Sequence, residues 1–287
     1  YKLECILAGH PRVIDALRRF AARERKTIIY NIGNHDADLF FPKVRERLVR
    51  ALDPDGQFPS NKVRVNYETP VINLPGGVQI HHGNQFEAVH VFNYENPLLT
   101  DGLSQPVLNI PWGSFYVLKI VNRFKWEREY VDKVRPVKAM ILWGLVFDTW
   151  FTLKFVFMST FYFFKTRFIY SPKRRSRLTV TAQILKQEST TFLQDLEADA
   201  RRLLDEQPHV HTVIMGHTHG PMHKVYPDGK VYINTGTWTR MISLDLRGIG
   251  SNYRLTFAMI EYDDQGKAFA SLQQWDGEHR PHRPFLS

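Results

Sequence analysis

Three stretches combine histidine, asparagine and aspartate at spacings that suit metal and phosphate chemistry. They are Gly33-Asn34-His35-Asp36, His82-Gly83-Asn84-Gln85 and Gly216-His217-Thr218-His219. Neutral imidazole is the commonest protein ligand for a transition metal. On an extended backbone His217 and His219 would share a face only by alternation. The glycine before them turns the chain, so both rings can reach one place. With His82 and the Asn34 carbonyl they form a mixed nitrogen and oxygen donor set, which suits Mn, Zn or Fe(II) better than Ca or Mg. Neutral donors leave the charge of a cation unbalanced, so a carboxylate belongs nearby.

Each stretch follows an apolar run of strand length that stops at or beside a glycine: residues 27–32, 78–82 and 213–215. The carboxyl ends of strands are where open α/β sheets build their sites. One such ending is weak evidence, whereas three with compatible chemistry are strong. The apolar period predicts helices over 10–25, ahead of the first stretch, and over 43–52, the second stopped by Asp53-Pro54-Asp55-Gly56. Residues 63–67 and 71–74 alternate as strands, and 231–234 lead into a polar loop. Residues 253–262 and 268–274 read as an antiparallel pair around the turn Asp263-Asp264-Gln265-Gly266. The tail 276–287 is expected to be loose.

The 287 residues suffice for one large domain or two small ones. A hydrophobic fraction of 43% with 23% charged residues is ordinary globular composition. The net charge of +9 favours anionic partners such as phosphates, nucleic acid or an acidic membrane surface. Cys5 is the single cysteine, so no internal disulfide can form; a buried packing role is expected for it.

Residues 139–164 are almost wholly apolar, with Asp148 and Lys154 as the only charges. The length could span a bilayer, but each charge near its middle would cost about 2.5–3.5 kcal/mol. Basic residues flank both ends: Lys133, Arg135 and Lys138 before, and Lys165, Arg167, Lys173, Arg174, Arg175 and Arg177 after. Flanks of this kind suit a segment lying in an anionic interface. The expectation is an inserted helical cap that touches the membrane through 139–177; a helix pair buried in an ordinary core is the alternative.

Taken in order, Gly33-Asn34-His35-Asp36, His82-Gly83 and Gly216-His217-Thr218-His219 resemble the later motifs of the calcineurin-like metallophosphoesterases. The resemblance runs from the first strand to about Trp238. It implies an α/β fold, a four-layer αββα sandwich with a two-metal site between packed sheets. Here the sandwich would carry an inserted apolar helical cap and lack its first strand or strands. The implied organisation is a phosphoesterase domain over 1–112 and 178–275, a cap over 113–177 and the tail 276–287. By position, Asn34, His82 and His217 would bind one metal and His219 the other, with Mn expected first and Zn or Fe as alternatives. His35 would sit beside the phosphate, where it stabilises charge or protonates the leaving oxygen, and Asp36 would orient it. The implied chemistry is in-line attack on phosphorus by water activated between two divalent metals. Asn84, Gln85, Thr237 and Arg240 are candidate substrate contacts.

The chain departs from the family in lacking its earlier Asp-x-His and Gly-Asp-x-x-Asp. Both would precede Tyr1, so an N-terminally truncated member with about half a site is expected, binding metal weakly at Asn34, His82 and His217; a degenerate member that has lost catalysis is the alternative. The expected substrate is a phosphate ester or pyrophosphate, on a small molecule or a lipid. The apolar cap adds a likeness in kind to the UDP-diacylglucosamine hydrolases, which act on a lipid-linked nucleotide sugar. A cytoplasmic protein, peripheral on the membrane, fits that picture. The rivals are a nuclease or nucleotide phosphatase of the same family and a non-catalytic scaffold on the same fold. Nucleic acid is not an expected partner, because the aromatics are clustered rather than interleaved with basic residues. His81, opposite to His82 on a strand, is expected to pack or support. For His90, His209, His211 and His223 surface or hydrogen-bonded roles are the default.

Overall fold

The computed structural model describes residues 1–135, 137–168, 196–244, 250–277 and 282–285. Lys173, Arg174, Arg175 and Arg177 of the expected basic flank lie outside them. The chain is a mixed α/β protein with several sheets. It divides into two compact units, residues 1–72 with 92–110, and residues 73–91 with 111–287.

In the first unit the strands Ile28–Asn31 and Val63–Asn66 pair in parallel, with Ile28 opposite Val63 and Asn31 opposite Asn66. The helix Pro11–Ala21 has proline in its first turn, where the missing N–H costs nothing. Its inner face brings Ile14, Leu17 and Ala21 against Leu52 of the helix Pro42–Leu52 and against Val63. A further helix, Lys2–Gly9, has no counterpart in the sequence reading. It buries none of its residues, and polar contacts hold it: Glu4 to Arg47 through two bonds of 2.5 and 2.7 Å, and Lys2 to Asp38. Cys5 on that helix is exposed, against the expectation of a buried packing role. A helix attached by charged side chains has no interior to put it in.

The second unit is built on a five-stranded sheet in the order Val71–Leu74, Val78–His81, Thr212–Met215, Val231–Asn234 and Met222–Val225. The middle three are parallel: Val78 lies opposite Thr212 and Ile80 opposite Ile214, while Val231 lies opposite Thr212 and Asn234 opposite Met215. Alternation along Thr212–Met215 sends Val213 and Met215 to one face and Ile214 to the other. The first face packs on the helix Glu197–Glu206 through Leu196, Ala200 and Leu204. The second packs on Leu272, Ala258 and Ile260 of an antiparallel sheet made of Thr256–Tyr262, Ala268–Trp275 and His282–Pro284. Helix, mainly parallel sheet and antiparallel sheet thus stack in this unit. The expected pair at 253–262 and 268–274 is present. His282–Pro284, in the stretch expected to be loose, pairs with Gln273 to Trp275 as its third strand.

The apolar segment is two helices, Val137–Phe147 and Thr149–Phe168, broken at Asp148. Arg128 holds Asp148 with two hydrogen bonds, of 2.6 and 3.2 Å. One side of the pair is core: Phe151 and Phe155 pack on Ile120, Phe124 and Val131, with Phe124 edge-on to both phenylalanines. The other side is bare: Phe147 is 77% exposed, Trp150 81% and Phe157 68%. Part of the segment's surface is therefore core and part is exposed apolar surface. Among the described residues no helix is long and apolar enough to cross a membrane.

The two faces should respond differently to truncation. Phe124→Ala removes a side chain with 1% exposure, which typically costs about 3–5 kcal/mol. Phe157→Ala should stay within about 0.5 kcal/mol. Denaturant unfolding of the two variants measures the contrast, and equal losses would contradict this packing.

Candidate metal centre

Parallel strands in level register end together. The backbone after Val78–His81 therefore meets the backbone after Thr212–Met215, where Gly216 N–H donates to the His82 carbonyl at 3.0 Å. Gly83 has φ +113, a conformation open to glycine. A Cβ there would lie 2.6 Å from Leu196 Cδ1 and 3.1 Å from His217 Cβ. The glycine after His82 is thus required twice, by its backbone angle and by the closeness of the second strand's turn.

On that second turn His217 and His219 both have φ 65, in the left-handed region. Such backbone in non-glycine residues concentrates at functional sites, where the surrounding structure holds it. Asn234, buried at the tip of the third strand, holds the turn, its amide donating to Thr218 Oγ1 at 2.7 Å and to the Gly216 carbonyl at 3.2 Å. The His82 and His217 ring centres lie 5.3 Å apart.

A carboxylate stands beside these histidines. Glu87 Oε2 is 2.9 Å from His217 Nε2 and 2.6 Å from His90 Nδ1, and the His90 and His217 ring centres are 5.1 Å apart. The side chains of His217, Glu87 and His90 are only 8, 16 and 23% exposed. Burial alone would push the Glu87 carboxyl up. Hydrogen bonds from His217 and His90, with their charges, outweigh it and bring the group down to about 2. Their donor atoms lie within 4.8 Å of one another, and two imidazoles with one carboxylate suit Zn, Mn or Fe. Sequence reasoning missed Glu87 and gave His90 a default surface or hydrogen-bonded role. The available signal was the Glu-x-x-His spacing just after His82-Gly83, which shares a face only if the loop makes a helical turn.

The other candidates fall as follows. Asn84 is buried and donates to the His90 carbonyl at 2.9 Å, which fixes the loop. Gln85 is engaged at both ends of its amide, accepting from Gly83 N–H at 3.1 Å and donating to His81 Nδ1 at 2.7 Å. His81 continues the chain to Gln79 at 3.2 Å, and Gln79 reaches Gln207 at 2.8 Å. His81 thus has the supporting role expected of it. Thr237 lines a cavity of about 430 Å³ with Thr235, Trp238, Thr256 and the apolar Ile80 and Ile214. Arg240 is exposed. Asn34, His35 and Asp36 belong to the first unit. There Asp36 closes the turn after Ile28–Asn31, accepting from Gly33 N–H and from the Tyr30 hydroxyl, each at 2.7 Å. Asn34 is buried and His35 is exposed.

No family model, curated protein or solved structure matches the chain. Its functional reading rests on the residues themselves.

The buried His81 makes a pH test. Burial lowers its pKa from the ordinary 6.5 to about 4. As the pH falls below 6.5 the unfolded chain takes up a proton that the fold refuses until about pH 4. Stability is therefore present above pH 6.5 and lost across that window. His81→Gln keeps a hydrogen-bonding side chain and removes the titration. Relative to this variant the wild type should lose roughly 3 kcal/mol between pH 6.5 and 4, at about 1.4 kcal/mol per unit. Denaturant midpoints across the range measure it, and a constant difference would sink the assignment.

Proposed function

We propose that the protein is a metal-dependent phosphohydrolase that cleaves a phosphate ester or pyrophosphate. The observation that carries the reading is the convergence of His82 and His217 at adjacent parallel strand tips, their ring centres 5.3 Å apart. The resemblance of the three motifs to the calcineurin-like metallophosphoesterases supports it, as does the stacking of helix and two sheets in the second unit. The four-layer sandwich of that family is part of the proposal.

A divalent metal, Mn in the first instance with Zn and Fe as alternatives, would supply charge neutralisation and activation of water. The chain's own residues supply the rest. In the second unit His82, His217 and His219 would present imidazole nitrogen, and the family resemblance gives Asn34 the part of an amide-oxygen donor. His35, on the turn that Asp36 braces, donates a proton to the departing oxygen. His35→Ala should lower phosphohydrolysis by about 10²–10⁴-fold, the range for a lost general acid. The assay uses p-nitrophenyl phosphate and a nucleotide-sugar pyrophosphate, with the full-length protein. Undiminished turnover would remove the enzyme reading and favour a non-catalytic scaffold. Nuclease activity on single-stranded DNA would favour the nucleotide alternative instead.

The helix pair supports a reading of the substrate class. Trp143 stacks on Phe147, and together with Trp150, Phe157 and Phe161 these rings present apolar surface to solvent beside Lys165. Aromatic and apolar surface with basic neighbours suits an anionic bilayer interface. We therefore place the reaction on a lipid-linked phosphate at a membrane surface. Phe147→Ser with Trp150→Ser should cut flotation with phosphatidylglycerol-containing vesicles at least roughly tenfold, while hydrolysis of a water-soluble substrate stays constant. Unchanged flotation would point to a water-soluble phosphate as substrate.

A further inference from the structure

We propose that Glu87, His90 and His217 form a binding site of their own for one divalent transition metal. The ligands would be Glu87 Oε2, His90 Nδ1 and His217 Nε2. This deepens the phosphohydrolase reading, resting on it only for the use to which the metal is put. Of the three, only His217 belongs to the set that the family resemblance implies.

The arrangement is built to hold three donors around one point. Glu87 Oε2 lies between the two nitrogens, at 2.6 and 2.9 Å, and all three donor atoms fall within 4.8 Å. A cation among them would take the place of the ring hydrogens that face the carboxylate, each neutral imidazole then carrying its proton on its other nitrogen. Two histidines and a glutamate are also the protein ligands of one class of catalytic zinc site, which keeps a further position for water or substrate.

Each donor is held from behind. His90 N–H donates to the Glu87 carbonyl at 2.8 Å, so the loop makes the single turn that puts residues three apart on one side. Asn84 clamps the His90 carbonyl. The ring of His90 lies flush against Gly113: a Cβ there would come within 2.3 Å of its Cδ2 and 2.4 Å of its Nε2. Gly113 is itself tied to the loop by its N–H to the Val89 carbonyl at 2.7 Å. The backbone of His217 is held in the left-handed region. Ligands fixed in this way lose little freedom on binding.

The test is zinc titration of the metal-free 287-residue chain by calorimetry, with Co²⁺ absorption as a second probe of coordination. The expected result is one site per chain, with the intense visible bands of four- or five-coordinate cobalt. Glu87→Gln and His90→Ala should each weaken zinc binding by at least the ten- to hundredfold that outer-shell changes cost. Histidine side-chain NMR of the unaltered protein needs no variant to fold: zinc should shift the rings of His90 and His217. Shifts confined to His82 and His217, or wild-type zinc affinity in Glu87→Gln and His90→Ala, would overturn the site and leave the phosphohydrolase reading intact. Zinc bound as described, with no phosphohydrolysis by the full-length protein at any metal loading, would keep the site and overturn that reading.

Discussion

The level register of three parallel strands is the constraint from which the site follows. Val78, Thr212 and Val231 start side by side, so His82, Gly216 and Thr235 emerge from the sheet at one edge. The Gly216 N–H to His82 carbonyl bond ties two of the exits together, and the Thr235 N–H to Met215 carbonyl bond ties the third. A one-residue slip in a strand would send its side chains to the opposite face. The two faces of Thr212–Met215 are committed to different cores, Val213 and Met215 to the helix and Ile214 to the second sheet. Hydrophobic burial therefore sets the geometry of the polar turns.

Above that edge the electrostatics are concentrated in one carboxylate. An ionised glutamate with most of its surface removed from water is costly unless it is paired. His90 and His217 provide the pairing, and they reach Glu87 from two separate turns. Removing one imidazole would leave the charge partly unanswered, which makes the three residues a unit. The polar chain running from Gln207 through Gln79, His81 and Gln85 to Gly83 N–H braces the same loop from beneath. It consists of neutral groups, so it adds rigidity without a competing charge.

Much of this was legible in the residues. Apolar runs that end at Gly83 and Gly216 announced strands with polar tips, and the period-two pattern around Asp263-Asp264-Gln265-Gly266 announced the hairpin. The role of His81 followed from alternation alone. Other features were illegible for physical reasons. A single Asp148 in a long apolar run does not show that the helix breaks there, because the break depends on Arg128 arriving from elsewhere in the chain. The helix Lys2–Gly9 rests on charged contacts and leaves no apolar stripe to read. Glu87 and His90 carry meaning only once the loop coils and His217 arrives from a strand far along the sequence.

The left-handed backbone at His217 and His219 has a bearing on transplantation. For residues with a Cβ this conformation costs on the order of 1–2 kcal/mol each, and the Asn234 amide and the neighbouring strand tip hold it in place. A short synthetic peptide carrying Gly216 to His219 would relax to ordinary angles and lose the placement of its two imidazoles. Grafting the sequence into an unrelated loop would fail in the same way, because the chemistry belongs to the shape of the turn as much as to its letters.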